Sequence, residues 1–240
     1  RQLCGESLPG DLRAHSRGRL GALEWHLTGR RTLTGGPLHK DRFMTDVKDD
    51  KKAELEAAQK ASPIPALLFE NRVVTLFGEI NTESAQRTNE RLLALAFASD
   101  APITLYISSP GGHVESGDSI FDMIRAISAP VRVVGTGWVG SAGALIYLAA
   151  EKENRYSLPN TRYLIHQPAG GFGGTASDIE IHAQEIIKMR ERLNKTLAAR
   201  TGQPVEKIAE DTDRDYWMSA EEAVAYGIVG TIIERLSDLP

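Results

Sequence analysis

Residues 103–112, ITLYISSPGG, alternate apolar and polar side chains and then reach a proline and two glycines. Alternation of β-branched and aromatic residues with polar ones predicts a half-buried strand. The proline and glycines predict a tight turn, and the residues after them predict a helix from about Val114 to Ile127. A strand, a glycine-rich turn and a helix in this order form one βα unit.

The same order of elements recurs on both sides of this unit. Upstream, Arg72–Phe77 predicts a strand, and a helix capped by Asn81 or Thr82 follows it. Downstream, Val131–Gly135 predicts a third strand that ends in a glycine-rich turn, before a helix of small residues that begins near Ser141. Strands that alternate with helices predict an α/β fold with a mainly parallel sheet.

The second half of the sequence predicts further elements of both kinds. Short strands are expected at 156–158 and 162–165, a helix at 176–200, another helix after the capping signature at Ser219, and a last strand at 228–233. The helix at 176–200 is long for a compact domain. Its apolar side chains form one stripe, which consists of Ile179, Ala183, Ile186, Leu193 and Leu197.

The first 62 residues differ in composition from the rest. Residues 1–43 contain eight basic and four acidic residues and no periodic apolar face, and the first methionine is Met44. We expect a leader that is non-native or upstream-translated before Met44, with an Arg-rich targeting peptide or a real extension as alternatives. Residues 44–62 are rich in charge and alanine, which predicts a solvated linker, so the folded domain is expected at 63–240.

Composition excludes several functional classes. The 240 residues carry 28 basic and 32 acidic side chains, a net charge of −4, which argues against a nucleic-acid-binding surface. No apolar run is long enough to predict a transmembrane helix. The single cysteine, Cys4, cannot form an internal disulfide and favours a cytoplasmic location. The histidines lack metal-ligand spacing, so neither a metal nor another cofactor is expected.

Residues suited to nucleophilic chemistry lie where predicted strands end. Gly111 and Gly112 leave backbone amides unobstructed, and such amides can hold an oxyanion, although an ordinary turn has the same composition. Ser141 precedes a helix, where it could act as a nucleophile or only as an N-cap. His166 ends a strand and could equally be structural. The spacing alone does not choose an acid among the aspartates of the DTDRD run at 211–215.

Five segments carry a resemblance to a known family. They are ISSPGG (107–112), GSAGA (140–144), LPNTRYLIHQPAGG (158–171), ASDIEIHAQEI (176–186) and DTDRDYWMSAEEAVAYGIV (211–229). From about Leu67 to Ile233, the sequence resembles the proteolytic subunit of the Clp protease, the ClpP family, with these segments in family order and at family spacing. The resemblance implies an α/β spiral of ββα units with a protruding handle, a fold shared with the crotonases.

The resemblance also implies the roles of particular residues. It implies a triad of Ser141, His166 and Asp215, and an oxyanion hole made of the backbone N–H groups of Gly112 and Ala142. Ala142 stands where the family often has methionine, a change that keeps the backbone donor but alters the pocket wall.

An assembly follows from the same resemblance. Seven subunits are expected in a ring, and two rings are expected to stack through their handles, at about residues 167–200 here, around a closed chamber. Asp213 and Arg214 match the charged pair that senses this ring contact, and Ile186 belongs to the stripe that a partner helix would cover. The resemblance also implies an AAA+ unfoldase as a partner. The family's first helix is not expected here, because Pro63 and Pro65 disfavour it.

The leading hypothesis is a Clp-type serine endopeptidase that cleaves peptides and unfolded proteins. The first alternative is a non-proteolytic, crotonase-like acyl-CoA enzyme, since that fold also uses paired backbone amides as an oxyanion hole. The second alternative is a structural subunit mixed into rings with an active paralogue.

Overall fold

The computed structural model describes residues 63–240, so the expectations for the leader and the linker lie outside the described residues. These residues form one seven-stranded sheet with helices packed against it. The strands are β1 (Val73–Phe77), β2 (Ile103–Ser109), β3 (Val131–Gly140), β4 (Arg155–Ser157), β5 (Arg162–Ile165), β6 (Tyr216–Met218) and β7 (Thr231–Ile232). The helices are α1 (Ile64–Glu70), α2 (Thr82–Ala98), α3 (Val114–Ala126), α4 (Ala142–Tyr147), α5 (Ala176–Thr201), α6 (Val205–Asp211) and α7 (Ala220–Tyr226).

The sheet is mainly parallel, as the alternation of strands and helices predicts. Five strands lie side by side in the order β1–β2–β3–β4–β7. Strand β5 pairs in parallel with the last residues of β3, and β6 pairs with β5 in the antiparallel sense. Every second residue of β2 is buried, in agreement with its alternating sequence. The carboxyl ends of β2, β3 and β5 therefore lead directly into the SPGG turn, Ser141 and His166.

Strand β3 is longer than the sequence predicts. The predicted turn after Gly135 is instead an irregularity inside the strand, where Gly137 has a φ of 64° and the pairing with β2 shifts register near Ser109. The additional residues of β3 provide the pairing site for β5. Helix α6 and strand β6 are also absent from the predicted elements, whereas the predicted last strand is reduced to the two residues of β7.

The prediction that no helix precedes β1 is wrong. Helix α1 spans Ile64–Glu70, with Pro63 at its N-cap position and Pro65 within its first turn. Backbone N–H groups in the first turn have no acceptor within the helix, so a proline there removes no hydrogen bond. The family also has an axial loop ahead of its first helix, which we expect to be absent or unrecognisable in this sequence, and that expectation lies outside the described residues.

Helix α5 agrees with the prediction, since it spans Ala176–Thr201. Thr175 and Asp178 form a capping box at its N-terminus, and Gly202 ends it in the left-handed conformation. The predicted stripe, however, is divided. Leu197 is buried within the described residues, whereas Ile179 is 47% exposed. Within residues 63–240, the exposed large apolar side chains of this helix therefore lie in its first half.

A buried arginine ties the end of α5 to the rest of the domain. Arg155 is 2% exposed, and its guanidinium donates hydrogen bonds to the carbonyls of Ala150 (2.8 Å), Arg200 (2.8 Å) and Gly227 (3.3 Å). Burial lowers the pKa of this guanidinium to about 10. The charge is retained in the interior because these carbonyls, which lie at the ends of separate elements, supply its hydrogen-bond acceptors.

We expect Arg155→Met to lower the midpoint of thermal unfolding by about 5 °C or more. Each buried carbonyl left without a donor costs about 1–3 kcal/mol, and 1 kcal/mol corresponds to about 2–4 °C for a domain of this size. The matched control is Arg125→Met, which removes an arginine that contacts Glu151 at 3.4 Å on the surface and should change stability by about 1 kcal/mol or less. Equal midpoints for the two variants would contradict this role of Arg155.

No helix within residues 63–240 has the length and apolar character needed to cross a membrane.

Candidate active site

Ser141 occupies a strained position between β3 and α4. Its backbone has a φ of 54° and a ψ of −122°, which is unusual for a residue with a side chain. Strain of this kind is found where the surrounding structure holds a residue for a functional reason. Ser141 occupies the N-cap position of α4, as expected, but its side chain makes no capping hydrogen bond to the helix. The hydroxyl is therefore not used as a cap.

The glycines of the SPGG turn are required by close approaches of the backbone. A Cβ atom on Gly111 would lie 2.5 Å from the Cβ atom of Ser141, and a Cβ atom on Gly112 would lie 2.1 Å from the carbonyl oxygen of Ile80. Both glycines also have positive φ angles, of 101° and 146°. The turn therefore packs directly against Ser141, a contact that an ordinary βα turn would not need.

Two backbone amides beside Ser141 are available to a ligand. Ala142 is the first residue of α4, and its N–H group has no acceptor within the helix. Gly112 forms an isolated bridge with Ile80, whose two hydrogen bonds use the carbonyl of Gly111 and the amide of His113. The N–H group of Gly112 takes no part in that bridge. Both amides suit the binding of a negatively charged oxygen.

His166 follows the last residue of β5 and lies beside Ser141. The backbone N–H of Ser141 donates to the carbonyl of Leu164 at 2.9 Å, which fixes the end of β5 against the serine. The Nδ1 atom of His166 lies 2.9 Å from Oδ1 of Asp215, within hydrogen-bond distance. Ser141 and His166 also line the same cavity. A carboxylate on Nδ1 leaves Nε2 of the imidazole to exchange a proton with a neighbouring group.

Asp211, Asp213 and Asp215, which the sequence does not distinguish, have different partners in the structure. Asp211 accepts hydrogen bonds from the hydroxyl of Tyr226 at 2.6 Å and from Nζ of Lys207 at 2.8 Å. Burial, with the Asp211 contact as a further cause, raises the pKa of Tyr226. Asp213 contacts Gln167, and Asp215 contacts His166. Only Asp215 is therefore paired with the histidine.

An apolar cavity adjoins Ser141 and His166, and sequence reasoning missed most of its lining. Its apolar side chains belong to Val114, Ala142, Leu145, Ile165, Pro168, Leu193 and Leu197. Three of these lie two or three residues after Gly112, Ala142 and His166, a proximity in sequence that could have identified them. Leu193 and Leu197, expected in an intersubunit stripe, instead line this cavity. Ala142 is part of its wall, so a larger side chain there would reduce the space.

The residues expected at a ring contact lie outside the cavity. The side chain of Arg214 is 93% exposed, and its Nε atom lies 4.0 Å from Oδ2 of Asp213. Ile186 is half-buried on α5, while the neighbouring Ile187 is 42% exposed. Within the described part of the chain, Asp213, Arg214 and Ile186 make no hydrogen bond to Ser141 or His166.

A set of groups like this one suits acyl transfer through a serine ester, which is the chemistry of serine hydrolases. No cluster of three or more potential metal ligands occurs among residues 63–240.

Comparison with known proteins defines the family. A model of the Clp protease family matches residues 56–236. The ATP-dependent Clp protease proteolytic subunit 3 of Rhizobium etli is 58% identical over 192 residues, which cover 80% of this chain and 97% of the relative. Proteolytic subunit 2 of Pseudomonas aeruginosa is 52% identical over 198 residues, with 80% and 98% coverage. The structure of ClpP1 from Listeria monocytogenes superposes with a TM-score of 0.68 at 54% identity, covering 74% of this chain and 99% of that one.

The chain belongs to the Clp protease family. It is a serine-type peptidase of the Clp type, and the expected ClpP fold is confirmed. These findings favour the peptidase over the alternative of a crotonase-like acyl-CoA enzyme.

Proposed function

We propose that Ser141, His166 and Asp215 form the catalytic triad of this peptidase. The observation that carries the proposal is the 2.9 Å contact between His166 and Asp215 beside the strained Ser141. The apolar cavity next to Ser141 accommodates a side chain of the substrate near the cleaved bond. The substrates are peptides and unfolded proteins, because an extended chain can place one residue in the cavity and its carbonyl beside the serine.

Hydrolysis proceeds in two stages. Ser141 Oγ attacks the carbonyl carbon of the peptide while His166 Nε2 takes the hydroxyl proton, and the negatively charged oxygen accepts hydrogen bonds from the amides of Gly112 and Ala142. The C–N bond then breaks as His166 returns the proton to the leaving amine, which leaves an acyl ester on Ser141. Water attacks this ester with His166 as the base, and Ser141 recovers its proton. Asp215 holds the imidazole in the tautomer that both stages need.

Labelling with a fluorophosphonate tests the assignment of the nucleophile. This reagent phosphonylates an activated serine, and peptide mapping by mass spectrometry locates the modified residue. We expect one modification, on Ser141, and no labelling of the Ser141→Ala variant. Labelling of a different serine would contradict the proposed triad.

The proposal includes a double ring of fourteen subunits in the cytoplasm. The first half of α5 leaves Ile179, Ile181 and Ile187 exposed, at 47%, 61% and 42%, although each is strongly apolar. A partner helix from an opposing ring would cover these side chains. Asp213 and Arg214 lie next to the triad carboxylate in sequence, so a contact made by this pair would influence the position of Asp215.

An ATP-driven unfoldase is the proposed source of substrates. The relatives are named as ATP-dependent, whereas the 240 residues contain no GxxxxGK[ST] phosphate-binding loop. The use of ATP would therefore require a second protein.

We expect Ile186→Glu to convert the assembly into single rings or smaller species and to lower peptidase activity. A carboxylate buried without a partner at a helix contact is strongly destabilising, and the symmetry repeats the change at each contact. Analytical ultracentrifugation measures the result, with Gln184→Glu, at an exposed position on the same helix, as the control. Full assembly and activity of the Ile186→Glu variant would contradict the proposed contact between rings.

A further inference from the structure

The Asp215 carboxylate can contact His166 only if the turn that carries it is held in place by other residues. Four residues, 212–215, connect α6 to β6, and the Asp215 side chain at the end of this turn is 62% exposed. An exposed carboxylate has several rotamers available, and its contact with His166 requires a defined backbone position.

Gln167 makes hydrogen bonds to this turn through both its backbone and its side chain. Its backbone N–H donates to the carbonyl of Thr212 at 2.6 Å. Its side-chain Nε2 donates to the backbone carbonyl of Asp213 at 2.8 Å and lies 3.2 Å from Oδ1 of the same residue. Among residues 63–240, Gln167 is the only residue whose side chain hydrogen-bonds to the backbone of 213–215. Since Gln167 also follows His166 directly, it provides a second connection between the segment that carries the histidine and the turn that carries the acid.

The amide of Gln167 is oriented by a third element. Its Oε1 atom accepts a hydrogen bond from Nη1 of Arg190, on α5, at 3.4 Å. This contact places the oxygen toward the helix and the nitrogen toward Asp213, so the amide is engaged at both ends. The contact with Arg190 is long and both groups are partly exposed, so it contributes little to the orientation of the Gln167 amide.

We infer that Gln167 is a positioning residue that holds the Asp215 carboxylate against His166. The inference rests on the proposed triad, because Gln167 has a role in catalysis only if Asp215 has one. Gln167 borders a second cavity beside His166 and Asp215, but it does not line the apolar cavity proposed for the substrate side chain. We therefore expect Gln167 to act mainly on the rate of the chemical step.

The first test separates kcat from KM in the full-length protein. Gln167→Met keeps the length of the side chain and removes both polar atoms, so we expect kcat to fall by about 10- to 100-fold, as small misplacements of catalytic groups do, while KM changes by about twofold or less. Gln203→Met is the matched control, since it removes a similar bond, from Nε2 to the carbonyl of Tyr226 at 2.9 Å, without touching the 212–215 turn. This control should keep the kcat of the parent protein.

The second test is a double-mutant cycle with Asp215→Asn, using an activated ester so that low rates remain measurable. If Gln167 acts through the carboxylate, Gln167→Met changes the rate by about twofold or less once Asp215 is asparagine. If Gln167→Met lowers the rate by the same factor in both backgrounds, the inference is overturned and the role of Gln167 is purely structural. Full activity of Asp215→Asn alone would instead refute the proposed triad, so the two failures are distinguishable.

A second variant covers the case in which Gln167→Met does not fold. Gln167→Glu has the same shape and retains an oxygen for Arg190, but it replaces the donor that faces Asp213 with an acceptor. We expect a loss of kcat at neutral pH at least as large as that of Gln167→Met, with unchanged elution in size-exclusion chromatography. A Gln167→Glu variant with the parent kcat would overturn the inference.

Discussion

The Ser141→Ala variant is expected to lose peptidase activity by about 10⁴-fold or more while its assembly stays intact. The members of a triad act as a unit, so the loss of one removes nearly all of their combined contribution. The change removes a single hydroxyl, and that hydroxyl makes no capping bond to α4. Fold and stability should therefore hardly change. Hydrolysis of a fluorogenic peptide measures the activity, and sedimentation measures the assembly.

The control for this prediction is Ser128→Ala. Ser128 donates a hydrogen bond to Oδ1 of Asp100 at 2.6 Å on the surface, at the far end of α3 from Gly112. This variant should keep the activity of the parent protein. Retention of cleavage by Ser141→Ala would remove Ser141 from the role of nucleophile.

The Asp215→Asn variant is expected to lower kcat by about 10⁴-fold. An asparagine in this position keeps the size of the side chain but favours the wrong tautomer of the imidazole, in which Nε2 carries the proton and cannot accept one from the serine. The 2.9 Å contact between His166 and Asp215 identifies this aspartate as the acid. Steady-state kinetics with a fluorogenic peptide measure the loss.

Asp211→Asn is the matched control for the acid, because it makes the same change in the same run of acidic residues. Asp211 binds Tyr226 and Lys207, and neither residue contacts His166. Its replacement should therefore affect stability more than kcat, with a rate loss far below that of Asp215→Asn. The opposite order of effects would show that Asp211 is the acid of this peptidase.

The sequence predicted the elements that position the site because the site follows regular strands. The alternation in residues 103–108 and the glycines after it were sufficient to place the SPGG turn at the end of β2. The sequence does not predict the full length of β3, because a glycine such as Gly137 occurs both in turns and in strand irregularities. The sequence does not predict helix α1, because Pro63 and Pro65 disfavour a helix interior, whereas the structure places them at the N-cap and in the first turn, where a proline is tolerated.

The choice of the acid and the lining of the cavity depend on contacts between residues far apart in sequence. Asp211, Asp213 and Asp215 are equivalent in spacing and in type, and only their partners Tyr226, Gln167 and His166 distinguish them. The apolar periodicity of residues 176–200 correctly predicted helix α5. Periodicity does not reveal where a helix leaves its own domain, so the division between the buried Leu197 and the exposed Ile179 required the structure.

The most direct test of the account is an experimental structure of the fluorophosphonate adduct. We expect the phosphorus atom on Oγ of Ser141 and one phosphonyl oxygen within about 2.7–3.1 Å of the backbone nitrogens of both Gly112 and Ala142, where the oxyanion of the reaction would lie. We also expect Nδ1 of His166 to remain bonded to Asp215. An adduct on another residue, or a phosphonyl oxygen directed away from these two amides, would contradict the proposed mechanism.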